Sequence, residues 1–357
     1  MGVSDRAGQA HAAGAVPSDR HVAIIGSGLI GQAWAIVFAR GGCRVAMWDG
    51  SRQALAQAKD LIAGQLQDLA HYGLVDDPQA IGARITVAST LEQAVAGAIH
   101  VQENLPERVA VKREIFAKLD AASEPDAVLA SSTSSMPASA FTEALAGRER
   151  CLVAHPVNPP YLVPVVELCP APWTADETVR RTWELMAAVG QKPVHVRREL
   201  EGFVLNRLQG ALLREAFRLV EQGYVDAEGL DRTVRDGLGL RWSFMGPFET
   251  IDLNAPGGIA DYCERYGPMY QSIAMQQTDT SAWAPALIEQ LQAQRQVIRE
   301  GVAAQARLQS ETRQLAEERA RLQQQLQSIS ATIDALEAAA NKVPNLGAVP
   351  GASEPAA

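Results

Sequence analysis

Cysteine is scarce in this chain, and its spacing excludes two kinds of structural site. Four cysteines occur among 357 residues, at Cys43, Cys151, Cys169 and Cys263, and none forms a CxxC or other zinc-ligand pattern. A disulfide scaffold would need a denser, paired set. We therefore predict reduced, mostly buried thiols, a cytoplasmic location and no metal site.

Long apolar runs and an excess of positive charge are also missing. No segment approaches 18 uninterrupted apolar residues, so we predict no membrane-spanning helix and no membrane partner. Residues 1–20 lack the apolar centre of a signal peptide, and we interpret them as a flexible leader. The net charge of −9 argues against a nucleic-acid partner, while a local basic pocket stays open.

What the chain does contain is a complete strand–helix–strand unit from Val22 to Asp49. Its first four residues are an apolar run typical of a strand buried on both faces of a parallel sheet. Gly26, Gly28 and Gly31 follow as G-x-G-x-x-G, which allows a tight turn, approach of a pyrophosphate and close helix–strand packing. Glycines alone could merely serve a turn. Because Asp49 ends the second strand, where it can accept ribose hydroxyls, the whole unit predicts NAD rather than NADP.

Strands and helices alternate over residues 21–200, which predicts an N-terminal α/β domain with a Rossmann-type doubly wound sheet. The length and the apolar content of 47% are enough for a second domain. The predicted strands cover residues 22–25, 45–48, 84–88, 98–102, 127–130, 151–154, 163–168 and 193–196. Polar residues beyond the carboxyl ends of these strands are the place to look for chemistry.

From residue 201 the pattern becomes helical only, which predicts an all-α C-terminal domain over residues 201–300. Its first helix, predicted over residues 202–222, carries apolar residues around most of its circumference, so we expect it to be buried. A second helix over residues 226–237 leads into a glycine-rich loop over residues 237–247.

The end of the chain has a different composition. Leucine or isoleucine recurs every seven residues from Leu308 to Leu336, which predicts a long coiled-coil-like helix over residues 301–340. The proline-rich segment 341–357 is predicted to be a disordered tail.

Four polar residues stand at predicted element ends: Ser134, His155, Glu167 and Asn206. Glu167 follows His155 by twelve residues, so strand, turn and strand can bring the two side by side. A histidine oriented by a carboxylate can act as a general base. The spacing alone does not decide the role of His155, because an isolated histidine is as often structural. Ser134 could likewise be a turn residue, and Asn206 could cap or bridge buried helices.

The sequence resembles the 3-hydroxyacyl-CoA dehydrogenase superfamily, and most closely its lambda-crystallin branch, to which L-gulonate 3-dehydrogenase belongs. The segments that carry the resemblance, in the family's order over residues 20–270, are GSGLIG, IFAKLD, SSTSS, AHPVNPPYLVPVVEL, GFVLNRLQ and DGLGLRWSFMGPFETIDLN. The resemblance implies NAD-linked oxidation of a 3-hydroxy group by His155 and Glu167. It also implies that Ser134 and Asn206 hydrogen-bond the reacting oxygen, and that the helical domain forms a homodimer.

The resemblance further implies which residues hold the nucleotide. Glu107 and Lys112 would join the strand-end aspartate, and Leu29 and Ile30 would contact the cofactor through their backbone. Glu107 and Lys112 could instead be an ordinary solvated helix start. Glu103 is an alternative carboxylate near the ribose.

Arg241, at the predicted helix-to-loop junction, is a candidate for binding the substrate. A guanidinium there can hold a carboxylate through two parallel hydrogen bonds, although it could equally tie the loop to a neighbouring helix. Residues 59–76 contain a single lysine, Lys59, and so lack a lysine-rich surface for a CoA phosphate. We therefore predict a small carboxylate substrate, an L-gulonate-like hydroxy acid oxidised to its 3-keto acid.

Other functions stay open at this point. A short-chain 3-hydroxyacyl-CoA dehydrogenase or a carnitine 3-dehydrogenase would use the same dyad on another substrate. A non-catalytic, crystallin-like protein would bind NAD without turnover. An assembly scaffold would use the coiled coil itself.

Overall fold

The described part of the chain consists of two units. A computed structural model describes residues 20–340; residues 1–19 of the predicted leader and the predicted tail 341–357 lie outside the described residues. Contacts between residues divide the chain into one unit that ends at Leu212 and a second that begins at Leu213. The division falls inside a helix, and the boundary near residue 201 stays a prediction.

One mixed sheet organises the first unit, and all eight predicted strands belong to it. The strands are β1 His21–Ile25, β2 Arg44–Trp48, β3 Ile85–Val87, β4 His100–Glu103, β5 Val128–Ser131, β6 Cys151–Pro156, β7 Val165–Pro170 and β8 Lys192–His195. Their order is β3-β2-β1-β4-β5-β6-β7-β8, and only the β6–β7 pairing is antiparallel. The order reverses at β1, between β2 and β4, and dinucleotides bind in the crevice at such a reversal.

Within the described residues, the first unit contains a short 3-10 helix, Arg148–Arg150, and seven complete α-helices. The α-helices are α1 Leu29–Arg40, α2 Arg52–His71, α3 Pro78–Ala83, α4 Leu91–Val95, α5 Val109–Ala122, α6 Ser139–Thr142 and α7 Asp176–Ala188. Helices α2, α3 and α4 begin after Ser51, Asp77 and Thr90, and each of these side chains accepts a hydrogen bond from the helix's first turn. Such caps satisfy backbone donors that would otherwise lack a partner.

The sheet has an apolar core on each face. Trp34 and Phe38 of α1 pack on one face, and Phe116 and Phe141 pack on the other with Phe203. Each of these large side chains stabilises the fold by about 1.5–3 kcal/mol through removal of apolar surface from water. Burial on both faces explains why β1 is apolar without alternation.

The second unit is helical, as predicted. Helix α8 Leu205–Glu221 crosses the division between the units; beyond it lie α9 Ala227–Arg232, a π-helix Thr233–Gly239, α10 Leu240–Trp242, α11 Pro247–Leu253, α12 Gly258–Ala274 and α13 Pro285–Ala340. Among residues 20–340, no helix has both the length and the apolar character needed to cross a membrane.

Two sequence predictions about these helices are wrong. Helix α8 is not buried: only Ala216 and Val220 are buried along it, and Leu208 is 66% exposed. The glycine-rich segment 237–247, predicted as a loop, is largely helical. Gly239 permits the wide π-turn, because a Cβ at that position would lie 2.9 Å from the Val234 carbonyl oxygen.

The long helix α13 confirms the predicted helix over residues 301–340 and begins earlier, at Pro285. It continues without a break through residue 300, where the helical domain was predicted to end. Leu308, Leu315 and Leu322, which belong to the seven-residue repeat, are all exposed. Pairing of this seam with another helix stays a prediction.

Candidate active site

The glycine turn after β1 has the geometry that a phosphate needs. Gly26 has φ +98°, a conformation that favours glycine, and a Cβ on Gly31 would lie 2.0 Å from the Gly26 carbonyl oxygen. At Gly28 a Cβ would meet nothing within 4 Å, so the backbone is open on the side where a pyrophosphate would approach. Helix α1 begins at Leu29, directly after this opening, and its free N–H groups favour an anion. These residues fit a dinucleotide.

Asp49 lies where the second strand was predicted to place it, at the end of β2. Its Oδ2 accepts hydrogen bonds from the Ser27 backbone N–H and hydroxyl, each at 2.8 Å, and its Oδ1 accepts from the Ser51 N–H at 2.8 Å. The carboxylate is therefore fixed against the glycine turn. Ser27 was missed by the sequence analysis, because nothing local links it to a residue 22 positions away.

Glu103 and Lys112 form a buried ion pair. The Lys112 ammonium donates to both Glu103 carboxylate oxygens at 2.8 Å and to the Leu105 carbonyl at 3.0 Å, so its three protons have partners. Glu103 has no exposed surface and also accepts from the Ser131 hydroxyl. The alternative placement of Glu103 beside the ribose is therefore wrong, because its carboxylate has no exposed surface that a ribose hydroxyl could reach. Nucleotide contact by Lys112 stays a prediction.

Glu107 holds the serine-rich loop that follows β5. Its Oε1 accepts from the Thr133 hydroxyl at 2.6 Å and from the backbone N–H groups of Ser134 and Ser135 at 2.8 and 2.9 Å. Burial alone would raise the pKa of Glu107, but these hydrogen bonds outweigh it and lower that pKa. The ionised carboxylate therefore fixes the backbone that carries Ser134.

His155 and Glu167 face each other on the antiparallel strands β6 and β7. The two residues are directly opposite in register, and His155 Nδ1 lies 2.9 Å from Glu167 Oε2. Both are nearly buried, at 5% and 2% exposure. Because Glu167 occupies Nδ1, Nε2 is the imidazole nitrogen left for a ligand. The predicted juxtaposition is present, and its arrangement is that of an oriented general base.

The second oxygen of Glu167 binds the segment before α8. Oε1 accepts from the backbone N–H groups of Val204 and Leu205, at 2.9 and 3.0 Å. Burial would raise the pKa of Glu167, but the hydrogen bonds from His155, Leu205 and Val204 together lower it. Glu167 is thus held ionised, which is the state that stabilises a positively charged imidazole.

Phe203 packs against the imidazole ring of His155. Its ring lies 5.3 Å from the imidazole, it is fully buried, and its φ is +49°. That backbone conformation costs a non-glycine residue about 1–3 kcal/mol. The sequence analysis missed this residue, since a phenylalanine gives no local signal for a left-handed backbone.

Ser134 and Asn206 meet His155 at one cleft of about 360 Å³. The Asn206 side-chain amide donates to the Ser134 carbonyl at 2.7 Å, which leaves its second N–H for a ligand. Ile30, predicted to contact the cofactor, also lines this cleft, as do Ser132 and Asn158, which the sequence analysis did not single out. The cleft thus combines a base with hydrogen-bond donors for an oxygen atom.

Arg241 lies in the second unit and is exposed. It lies in the last turn of a helical run that ends at Trp242, so its position at a helix-to-loop junction is as predicted. Its role in substrate binding stays a prediction.

Comparison with known proteins identifies the family of this chain. Residues 21–200 match the 3-hydroxyacyl-CoA dehydrogenase NAD binding domain, and residues 202–302 match the C-terminal domain of the same family. The chain belongs to the 3-hydroxyacyl-CoA dehydrogenase family. The predicted family, fold and cofactor are confirmed, and the cofactor is NAD.

Two groups of relatives share most of the chain. It is 45% identical over 255 residues to a lambda-crystallin homolog of Mus musculus, covering 71% of this chain and 80% of that protein. It is 40% identical over 263 residues to an L-carnitine dehydrogenase of Streptomyces griseus, covering 73% and 78%.

Solved structures agree with the fold. The chain is 30% identical to 5-formyl-3-hydroxy-2-methylpyridine 4-carboxylic acid 5-dehydrogenase, an NAD+-dependent dismutase, with a TM-score of 0.68 over 77% of this chain and 86% of that one. It is also 30% identical to 3-hydroxybutyryl-CoA dehydrogenase from Escherichia coli K12, with a TM-score of 0.58 over 71% of this chain and 53% of that one.

Proposed function

We propose that this protein oxidises the 3-hydroxy group of a small, L-gulonate-like hydroxy acid to the 3-keto acid, with NAD as hydride acceptor. The observation that carries the proposal is the 2.9 Å contact of His155 with Glu167 in a cleft that also contains Ser134 and Asn206. Membership of a family of NAD-dependent dehydrogenases supports the reaction class.

Each side chain has a distinct role in this mechanism. His155 Nε2 accepts the proton of the substrate hydroxyl, and ionised Glu167 stabilises the imidazolium that forms. The Ser134 hydroxyl and the free Asn206 N–H donate to the reacting oxygen and stabilise its partial negative charge. Gly26, Gly28, Gly31 and the first turn of α1 hold the pyrophosphate. Bound NAD supplies the chemistry of hydride acceptance.

Carnitine is the second candidate substrate, because relatives 39–40% identical to this chain are L-carnitine dehydrogenases. NADH formation with L-gulonate, L-carnitine and 3-hydroxybutyryl-CoA, each over a range of concentrations, tests the choice. We expect the highest kcat/KM with L-gulonate. A higher value with the CoA ester would refute the free-acid substrate, and NADH binding without turnover of any of the three would identify a non-catalytic protein.

We propose that Arg241 binds the substrate carboxylate, on the basis of the charge and fork geometry of its guanidinium. Arg241→Met should raise KM for the free acid by about tenfold, the effect of losing a charge-assisted pair, with unchanged kcat. Arg235, an exposed arginine of the same unit that pairs with Asp236, provides the control Arg235→Met. Equal KM values for the wild type and Arg241→Met would exclude the role.

We propose that the protein is a homodimer. Large apolar side chains of the second unit support this, because they are 61–74% exposed in the single chain; they are Leu240, Phe244, Phe248, Leu253 and Met275. Exposed apolar surface on this scale is typical of an interface. The leucine seam of α13 offers a second contact.

Light scattering at micromolar concentration tests the assembly and locates the contact. The wild type should have the mass of a dimer, and a monomer would exclude the proposal. Phe248→Lys and the double variant Leu315→Lys/Leu322→Lys probe the two surfaces separately. A monomer only in the second case would assign the contact to the coiled coil.

We also propose a cytoplasmic location. It is supported by the cysteines, which are all free, with Cys43, Cys151 and Cys169 buried. Cell fractionation of the tagged protein checks it, and recovery in the secreted fraction would contradict it.

A further inference from the structure

The cleft beside His155 is polar but almost uncharged. Among the described residues that line it, His155 is the only titratable side chain. The other polar groups are hydroxyls and amides, and they belong to Ser132, Ser134, Asn158, Asn206 and Gln209. Within this cleft a ligand is therefore recognised through hydrogen bonds with neutral groups rather than through ion pairs.

Several of these polar groups already have a partner or a role. The Ser132 hydroxyl accepts from two donors and donates to the Asn104 side-chain oxygen at 2.7 Å, which uses its whole hydrogen-bonding capacity. The Asn206 amide donates to the Ser134 carbonyl, and both residues serve the reacting oxygen in the proposed reaction. These groups leave little capacity for the rest of a substrate.

Gln209 supplies an amide that has no partner. Its side chain makes no hydrogen bond to a residue that the structure describes. It follows Asn206 by three residues on α8, and residues at this spacing share a helix face with their Cβ atoms about 5–6 Å apart. Asn158, the other free amide, lies on the loop after β6 instead. Gln209 therefore lies about one helical turn beyond the group that binds the reacting oxygen.

An amide at this position suits a second hydroxyl of the substrate. Amide and hydroxyl groups each donate and accept, so they can pair in either direction. Because Asn206 binds the oxygen at C3 in the proposed reaction, a hydroxyl on a neighbouring carbon is the group that can reach Gln209. An alkyl chain in the same place would remove water from the amide without replacing its hydrogen bonds. Sites built in this way discriminate against analogues that lack the hydroxyl.

We propose that Gln209 determines specificity for a polyhydroxy acid by hydrogen-bonding a second hydroxyl next to the one that is oxidised. The inference rests on the proposed function, since it takes the reacting hydroxyl to lie between His155 and Asn206. It adds a residue outside the His–Glu pair to substrate recognition. It also names the disfavoured class, which is 3-hydroxy acids with a plain alkyl chain.

L-Gulonate and 3-hydroxybutyrate are matched probes. Both carry a carboxylate and a 3-hydroxyl, but only L-gulonate has hydroxyls on the carbons next to C3. Each is titrated into the full chain saturated with NADH, and the change in NADH fluorescence gives its Kd. No hydride is transferred in this complex, because the hydroxy acid and NADH are both in their reduced forms. The titration therefore measures binding whether or not the protein turns over either acid.

Gln209→Met removes the amide but keeps a side chain of similar length and helix propensity. We expect the ratio of the Kd for 3-hydroxybutyrate to the Kd for L-gulonate to fall about tenfold, the effect of losing a hydrogen bond to a hydroxyl. Gln57→Met, at an exposed position of α2, should keep the wild-type ratio. An unchanged ratio in Gln209→Met, or no preference for L-gulonate in the wild type, would overturn the proposal.

Turnover of L-gulonate with NAD distinguishes this inference from the proposed function. If no NADH forms while the Kd ratio falls in Gln209→Met, the proposed reaction is refuted and Gln209 still binds the second hydroxyl. If NADH forms while the ratio is unchanged, only the role of Gln209 is refuted.

Discussion

Glu167 Oε2 lies 2.9 Å from His155 Nδ1 while Oε1 of the same carboxylate binds the backbone ahead of α8. One buried side chain therefore orients His155, the proposed general base, and anchors the helix that carries Asn206. In a site of low dielectric, each of these charge-assisted bonds is stronger than it would be in water.

Glu167→Gln tests the orienting role. A glutamine amide that donates to His155 Nδ1 would move the imidazole proton to Nε2, the atom that must accept the substrate proton. We expect kcat to fall by about 10–10³-fold, with NADH affinity near that of the wild type. Glu177→Gln, on the surface of α7, is the matched control. A kcat within twofold of the wild type would remove Glu167 from the mechanism.

The lowered pKa of Glu167 also predicts an acid-sensitive fold. Its ordinary pKa is 4.5, and the folded value lies below this. A carboxyl with a lowered pKa in the folded state stabilises the fold above its unfolded pKa, and this contribution disappears as pH falls through the folded pKa. The Tm of the wild type should therefore fall more steeply below pH 4.5 than that of Glu167→Gln. Circular dichroism during thermal unfolding measures the Tm of both proteins at each pH. An equal fall in Tm for the wild type and Glu167→Gln would contradict this prediction.

Substitutions at Gly28 and Gly31 should affect cofactor binding and folding separately. Gly28→Ala adds a methyl group in open space, so the fold should survive while NADH affinity falls by about tenfold through lost backbone approach. Gly31→Ala places a Cβ 2.0 Å from a carbonyl oxygen and should cost about 3 kcal/mol or more of folding free energy. Denaturant unfolding and NADH titration distinguish the two, and equal stability losses would argue against this geometry.

Asp49 should decide between the two nicotinamide dinucleotides. Its carboxylate at the end of β2 would repel a 2′-phosphate, so NADP should be a poor substrate. Asp49→Ser should raise the ratio of NADP to NAD catalytic efficiency on the order of tenfold, because like charges no longer meet. Asp60→Ser, on the exposed side of α2, is the control. An unchanged ratio of NADP to NAD catalytic efficiency in Asp49→Ser would show that another residue discriminates between the two cofactors.

The predictable parts of the fold are those that local sequence patterns indicate. One such pattern is the order of the apolar run of β1, the three glycines and Asp49. Steric restrictions on the backbone allow few conformations for this order other than a strand, a tight turn, a helix and a second strand. The His155–Glu167 pair was predictable because a short hairpin must return near its origin.

Other features gave no such signal. The Glu103–Lys112 ion pair forms between the end of β4 and the first turn of α5, and no sequence pattern indicates that these two side chains are buried together. Helix α8 was predicted to be buried because of its many apolar residues. Such residues do not indicate whether the surface that packs on them belongs to the same chain.

The most direct test of the central claim is the turnover of His155→Gln with L-gulonate and NAD, measured beside its affinity for NADH. Glutamine keeps a polar side chain at the position but cannot accept the hydroxyl proton, so kcat should fall by about 10²–10⁴-fold while NADH binding stays near wild type. Retention of more than about a tenth of wild-type turnover, against an expected loss of this size, would contradict the account.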